Sequence, residues 1–494
     1  MSITILAFDE INLLLCVLIL TLTVVYFWLH RPQGFPPGPF GWPIIGSLPS
    51  IIVEEPYKAM AKLSKTYGNI IGLKTGRRLV VILNGYDTIR TALVKNALAF
   101  SGREIDTVQH EVFNGRGLIN IDYNDVWKEE RRFTLMALRK CGMGSLRLEG
   151  KILREIKYMM ADLDERINQP IDLLDILTQT PANVITTILL GKRFDNNDTT
   201  FLKLLSLQHS FTRTVNRVGA SNFFPTLRFL PGMNYANEMH AIIDGGAKIF
   251  RQYIKDYIRN FDSNSEPQCF IDMAISRIET LGDHATMLYD SLSYTLWDLY
   301  SAGTETISMT LNWAMQYMVL NPKIQYKLQA DIDDVVGASR PVSTTDRPSL
   351  PYVDATLNEV HRMSTIVPFS VSHRVTKNAW INGYFIPSGT YVLPNLWSAH
   401  HDATVWDDPE TFRPDRFMKN GSLSKRLELI PFGLGHRECI GKQLANMELF
   451  LIFTSLIQNY RFSIPDNIKP PTSKCLLRAV SVLDPYIVRV QKRL

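Results

Sequence analysis

The chain has 494 residues, 46% hydrophobic and 20% charged. That composition excludes a disordered or collagen-like chain and supplies a large buried core. Lys plus Arg is 53 against 48 for Asp plus Glu, a net charge of +5, too mild to call for nucleic acid.

The first element is residues 11–29, a run without a charge in which only Asn12, Thr21 and Thr23 are clearly polar. As a helix it would reach about 28 Å at 1.5 Å per residue, close to a hydrocarbon core of about 30 Å. Tyr26 and Trp28 fall at its end, where an interfacial belt wants them. Asp9 and Glu10 precede it; Arg31, Lys58, Lys62 and Lys65 follow. The positive side predicts a cytosolic body. A basic start and a small-residue cleavage site are missing, so an uncleaved transmembrane anchor is expected over residues 1–30.

Residues 31–50 alternate proline and glycine (Pro32, Gly34, Pro36, Pro37, Gly38, Pro39, Gly41, Pro43, Gly46, Pro49) and read as a hinge. No second linker or repeat follows, so residues 51–494 read as one large domain. Short strands are predicted over 70–74 and 79–83, and helices over 151–167 and 201–218. The longest apolar periodicity, 287–319, carries Asp298, Ser301, Gly303, Thr304, Glu305 and Thr306 in its middle, and Pro322 closes it. Strands are expected over 371–375 and 380–392, with turns at Asn382-Gly383 and Pro387-Ser388-Gly389. A loop over 433–438 leads into a last helix with Ile440, Leu444, Met447 and Leu451 on one face. The fold class is mainly α with a small β-sheet.

The five cysteines, 16, 141, 269, 439 and 475, are widely spaced without Cys-x-x-Cys, which argues against a disulfide framework. Cys439 stands apart. It follows Phe432-Gly433-Leu434-Gly435-His436-Arg437-Glu438 and precedes Ile440-Gly441. Two glycines allow a tight turn, and a cysteine at a helix start is biased toward thiolate. His436 is three residues away and no second cysteine is near, so a zinc site lacks ligands. One thiolate with no other protein ligand suits haem iron. The plainer alternative is a buried inert thiol.

Residues 432–441 resemble the haem-binding signature of the cytochrome P450 monooxygenases. Glu359-Val360-His361-Arg362 resembles the family's Glu-x-x-Arg, and Phe412-Arg413-Pro414-Asp415-Arg416-Phe417 its Pro-Glu/Asp-Arg-Phe segment. Ala302-Gly303-Thr304-Glu305-Thr306 resembles its oxygen-activation motif, with Ile307 where many members carry a second Thr or Ser. Trp127-Lys128-Glu129-Glu130-Arg131-Arg132-Phe133 is similar to the animal microsomal drug- and steroid-hydroxylating branch.

The resemblance implies a single cytochrome P450-type domain behind its anchor, with haem b held by Cys439. It implies a buried triad of Glu359, Arg362 and Arg416 holding the cysteine loop. Trp127, Arg131, Arg437, Arg103 and His373 would serve the haem propionates. Thr306 and Glu305 would deliver protons to dioxygen, with Gly303 and Ala302 leaving it room. Ile105, Phe113, Leu118, Phe211, Trp297, Ala302, Val367 and Val371 would line the substrate pocket. Lys128, Arg132, Arg139, Lys140, Arg437 and Lys442 would dock an NADPH–cytochrome P450 reductase, with cytochrome b5 as a further partner, at the endoplasmic reticulum membrane. The implied reaction is hydroxylation or epoxidation of a lipophilic substrate. The overall texture is similar to arthropod members, which implies an insect hormone precursor, a farnesoid of juvenile hormone type or an ecdysteroid. A broad xenobiotic oxidase competes with that reading. A reductase-independent haem-thiolate isomerase or dehydratase and a haem sensor share Cys439 but have no use for Glu305 and Thr306.

Overall fold

The computed structural model describes residues 12–23, 31–42, 45–51, 53–76, 78–104, 107–217, 235–261, 265–281, 285–472 and 480–493. Residues 12–23 are helical with every side chain exposed. Among the described residues no helix is long and apolar enough to cross a membrane. Residues 1–11 and 24–30 of the expected anchor lie outside the described residues.

Strands β1 (Ile70–Thr75) and β2 (Arg78–Asn84) pair antiparallel, from Ile70 opposite Leu83 to Thr75 opposite Arg78. Alternate residues leave on opposite faces, and here both faces are covered. Ile71, Leu73, Val80 and Ile82 meet Met60 on one side. Ile70, Val81 and Leu83 meet Phe100, Val392 and Leu396 on the other.

The helical body follows. Helix α1 (Asp125–Lys140) is capped by Asn124, whose side chain accepts from Trp127 N–H at 2.8 Å. Helices α2 (Leu174–Leu190) and α3 (Thr199–Arg217) pack with the 36-residue α4 (Ala285–Leu320). From Leu292 to Val319, α4 is buried nearly all round, which is why it is apolar over its whole length rather than on one stripe. Helix α5 (Pro351–Ser364) carries Glu359 and Arg362.

Beyond α5 the chain returns to the sheet. The strand expected over 371–375 shrinks to β3 (His373–Arg374). The one expected over 380–392 is interrupted: a hairpin, Ala379–Ile381 with Tyr384–Ile386, turns at Asn382 (φ 47°) and Gly383 (φ 83°), and β4 (Tyr391–Asn395) comes after it. Two successive positive φ values are what a two-residue hairpin turn demands. β4 runs parallel to β2 and antiparallel to β3, giving the order β1-β2-β4-β3. The last helix, α5's neighbour α6 (Lys442–Asn459), starts after Ile440. Instead of one apolar face it buries almost every residue from Leu444 to Gln458.

Candidate active site

Glycine makes the Cys439 loop possible. Gly433 has φ 71° and Gly435 φ 79°, left-handed values that other residues avoid. A Cβ on Gly435 would lie 2.0 Å from the Leu93 carbonyl oxygen. The loop then closes on itself. Gly433 N–H donates to Ile430 O (3.0 Å), Glu438 N–H to Gly435 O (3.1 Å) and Cys439 N–H to Phe432 O (2.9 Å). Protein surrounds the sulfur, yet the residue keeps open surface.

The expected bias toward thiolate is reversed in the free protein. Burial dominates and pushes the thiol up; the Gly441 amide, Arg131 and Lys442 pull down without prevailing. A metal ion at the sulfur would overturn that balance, since a coordinating thiol is deprotonated outright. Among the described residues no group of three His, Cys, Asp or Glu could hold a metal, which leaves a single-thiolate cofactor as the arrangement to test.

The five residues expected at the propionates do come together. β3 is the reason for two of them: Gly102 bridges Arg374 across a short antiparallel contact, setting Arg103 beside His373. Arg437 lies over the Trp127 ring at 3.9 Å and Arg131 at 5.5 Å. The cluster is crowded with positive charge. Burial and then the neighbouring Arg103 press the Arg437 guanidinium down to about 8, and burial holds Arg103 at about 10. The acids at hand are Glu104 and Asp122 beside Arg103 and Glu438 beside Arg131, and two of them are shared, Asp122 with Arg374 and Glu438 with Lys442. Buried cations in excess are a costly arrangement unless anions join them. Two propionates would supply those anions, so these residues fit a haem.

Their donors, however, are aimed at backbone carbonyls. Arg103 Nε donates to Ile119 O (3.0 Å) and its NH1 to Ser372 O (2.6 Å). Arg437 donates to Ser101 O (3.0 Å) and Ile121 O (2.7 Å), and Arg131 to Glu438 O. The Trp127 indole N–H, expected to be free, goes to Leu118 O at 3.2 Å. His373 Nδ1 lies 2.7 Å from Phe100 O, and burial followed by Arg103 keeps the ring well below its ordinary pKa. A neutral ring whose Nδ1–H serves a carbonyl has only an acceptor left at Nε2. His373 can donate to a carboxylate only after that carboxylate's charge has protonated it.

On α4, Thr306 is half-buried and its hydroxyl donates to Ala302 O at 2.8 Å, the back-bonded arrangement of helical threonines. Ala302 is exposed beside it. In the direction a Cβ would take, Gly303 faces Ile185 Cγ1 of α2 at 3.1 Å, so its small size serves helix packing. Glu305 is 5% exposed and turns toward α3, where Gln208 Nε2 lies 3.4 Å away and Thr212 also bonds it. Burial raises its carboxyl to about 7.

The expected pocket residues divide. Ala302, Val367 and Val371 retain open surface. Leu118 is buried at the rim loop. Phe113 and Trp297 are shut in the core: Phe113 packs edge-on to Tyr294 (6.0 Å), and Trp297 covers the α-carbon of Gly246 and meets Phe211 edge-on (6.2 Å). These two back the wall rather than face an opening. Ile105 lies outside the described residues. Asp298 was not anticipated in any role. Its carboxylate oxygen accepts from Leu118 N–H (2.7 Å) and Ile119 N–H (3.0 Å), pinning the rim loop to α4, and burial lifts it to about 7. An Asp in the apolar stretch Leu292–Leu299 was the available signal.

The charge triad is fully buried. Arg362 meets Glu359 through two nitrogens at 2.8 Å each, and Arg416 Nε reaches Glu359 Oε1 at 3.0 Å. The remaining donors go to the carbonyls of His400, Asp407, Asp408, Pro409 and Thr411. The segment gripped directly is therefore 400–411, not the cysteine loop. Of the expected docking cations, Arg132, Arg139 and Lys140 are exposed. Lys128 pairs with Asp125 and Lys442 with Glu438. Arg437 faces inward and drops out of that surface.

Residues 36–488 match the cytochrome P450 family model. The chain is 34% identical over 510 residues to human "Cytochrome P450 2U1", covering 97% of this chain and 93% of that protein. It is 36% identical over 448 residues to human "Cytochrome P450 2J2" (89% and 88% covered) and 36% identical over 471 residues to rat (Rattus norvegicus) "Cytochrome P450 2C23" (94% of each).

Proposed function

The chain belongs to the cytochrome P450 family, and from that premise we propose that Cys439 ligates the haem iron and that a small lipophilic molecule is oxygenated above it. As a family member the chain is a monooxygenase that uses haem b and electrons from NADPH passed through a reductase. Cys439, a residue with open surface whose neighbour Arg131 belongs to the Arg103–Arg131–Arg437 cluster, is the observation that carries the site assignment.

The haem, when bound, supplies the redox chemistry by which one oxygen atom enters the substrate and the other leaves as water. The chain supplies geometry and protons. Arg103, Arg131 and Arg437 would give up carbonyl partners for propionate oxygens, a stronger charge-assisted bond in each case. The Thr306 hydroxyl donates to Ala302 O, so it would relay a proton by turning that O–H from the carbonyl toward the acceptor above it while accepting a hydrogen from a donor behind it. Glu305 holds a proton near neutrality because it is buried, which suits a donor working near pH 7. Ala302, Val367 and Val371 offer the apolar surface a lipophilic substrate needs.

In this reading residues 1–30 anchor the protein in the endoplasmic reticulum membrane, residues 31–50 are the hinge, and residues 51–494 form the cytosolic body. Exposed Arg132, Arg139 and Lys140 would steer an acidic reductase by charge, with cytochrome b5 a candidate for the same face. The substrate is either a farnesoid or ecdysteroid hormone precursor or a range of xenobiotics. The test incubates holoprotein with a lipid and xenobiotic panel, with and without NADPH and reductase. Oxygenated product that requires both is expected. Turnover without the reductase would replace the monooxygenase with an isomerase. A Cys439→Ala variant that keeps the red-shifted ferrous–carbon monoxide band would remove the ligand assignment.

A further inference from the structure

The triad, Glu359 and Arg362 on α5 with Arg416 beyond it, shares no direct hydrogen bond with the cysteine loop; His361 of α5 packs edge-on to Phe432 (5.5 Å), and a line of hydrogen bonds, completed by a single imidazole, joins the two. Thr365 Oγ1 donates to Arg362 O at 2.8 Å, so its oxygen is an acceptor for whatever comes next. His400 Nδ1 lies 2.9 Å from that oxygen. On the other side of the ring, Ile430 N–H donates to His400 Nε2 at 3.0 Å. From there Ile430 O accepts from Gly433 N–H, and Phe432 O accepts from Cys439 N–H. Arg362 also donates to the backbone oxygen of His400 at 3.0 Å, which holds the imidazole's own backbone to the triad.

The partners settle the tautomer. A backbone N–H can only donate, so Nε2 must be unprotonated. Thr365 has already given its proton to a carbonyl, so Nδ1 must carry the hydrogen. His400 has no accessible surface, and a charged ring there would lose the Ile430 bond. Ile430 is itself buried, so without Nε2 its N–H would be left unpaired away from water.

We propose that His400, as its Nδ1–H tautomer, is the positioning residue that sets the cysteine loop relative to the Glu359–Arg362–Arg416 triad, and that the thiolate ligation depends on its Nε2 bond to Ile430. The inference rests on Cys439 being the iron ligand. No other hydrogen bond described for these residues passes from the triad to residues 430–439, so the loop's tie to the triad has one link that chemistry can cut.

The side-chain amide of Gln places its oxygen about where Nε2 of His stands; that of Asn reaches only the Nδ1 position. His400→Gln can therefore keep an acceptor for Ile430, and His400→Asn keeps the Thr365 partner alone. Asn is a methylene smaller than Gln, so His400→Leu, which fills about the volume of Gln and offers no acceptor, controls for packing. Holoprotein of each variant is reduced under carbon monoxide, and the fraction absorbing at the thiolate position is measured against the blue-shifted form. The expected result is a mostly retained thiolate band for Gln and at least a tenfold lower ratio of the two forms for Asn and for Leu. A Leu ratio equal to that of Gln would overturn the proposal, because a role in packing alone predicts equality between side chains of like volume. If no variant yields holoprotein, the wild type decides: nitrogen-15 correlation spectra of the imidazoles should report an Nδ1–H tautomer for His400, and an Nε2–H tautomer overturns the proposal. Cys439→Ala is the control that separates the two ideas. A thiolate band that survives it defeats the ligand assignment, whereas a Leu variant matching Gln defeats only the role of His400.

Discussion

Glu305 offers a stability test that does not depend on turnover. It is 5% exposed, bonded by Gln208 and Thr212, and raised by burial from 4.5 to about 7. Between those two values the folded protein holds a proton that the unfolded chain has released. The wild type therefore loses stability as pH rises through that window, and the cost vanishes below it, where both states are protonated. At about 1.4 kcal/mol per tenfold, the cost grows from about 1 kcal/mol at pH 5 to about 3 kcal/mol at pH 8. Glu305→Gln keeps the shape and can still accept from Thr212 and Gln208, but has no charge to bury. With an unfolding entropy of about 2.1 cal/mol/K per residue, a chain this long shifts by about 1 °C per kcal/mol. The variant should thus melt about 1 °C above wild type at pH 5 and about 3 °C above it at pH 8, followed by circular dichroism on haem-loaded protein. A gap that stays constant or narrows toward pH 8 would refute the buried neutral acid.

Three further outcomes follow from the site. Thr306→Val removes the hydroxyl and keeps the shape, so substrate binding should persist while product per NADPH falls; a general acid–base contribution is worth about 10² to 10⁴ in rate, and product, peroxide and NADPH measured together will show it. Gly435→Ala should abolish haem-loaded protein, because a Cβ would sit 2.0 Å from Leu93 O at φ 79°, whereas Gly303→Ala, 3.1 Å from Ile185 Cγ1, which need yield only a few tenths of an ångström, should load haem and bind carbon monoxide at near wild-type affinity. Glu359→Gln leaves Arg362 and Arg416 without their shared carboxylate in the core and should cost about 3–5 kcal/mol, while Lys327→Met, which breaks an exposed pair with Asp415, should cost under about 1 kcal/mol; melting curves of the pair give the contrast.

How much of this was legible in the sequence depended on distance along the chain. The cysteine loop could be read because its glycines and its sulfur lie within ten residues and the constraint is local. Glu359 and Arg362 could be read because helical spacing puts i and i+3 on one face. The destinations of donors could not. Arg437 bonds Ser101 and Ile121, more than three hundred positions away, and the Trp127 indole turns to Leu118 instead of outward. Gly303 shows the opposite failure. Its neighbours in sequence suggest chemistry, but its neighbour in space is Ile185. The burial of α6 on every side was likewise invisible to a reading of one apolar stripe. His400 gave no sequence signal at all, since a histidine in a short helix of mixed composition has no distinguishing period.

The arginines around Trp127 explain why the free site is arranged as it is. Burial and mutual repulsion press Arg437 toward about 8, but a guanidinium does not give up its proton at any such pH in a protein. The pressure must therefore be relieved by partners rather than by titration. The partners are carbonyl oxygens of residues 101, 119, 121, 372 and 438, together with the carboxylates of Glu104, Asp122 and Glu438 nearby. A dicarboxylate entering the site satisfies the cluster and releases those carbonyls, so the loops bearing them, 101–121 and 371–374, are the ones whose backbone should respond to loading. The same anions would bring His373 the charge it needs to become a donor. Hydrogen exchange at residues 101–121 should then differ most between haem-free and haem-loaded protein, while β1 and β2, whose two faces are closed by separate apolar clusters, should exchange alike in both. Equal exchange at 101–121 in the two forms would mean that the arginines keep their carbonyl partners and that the propionates are held elsewhere.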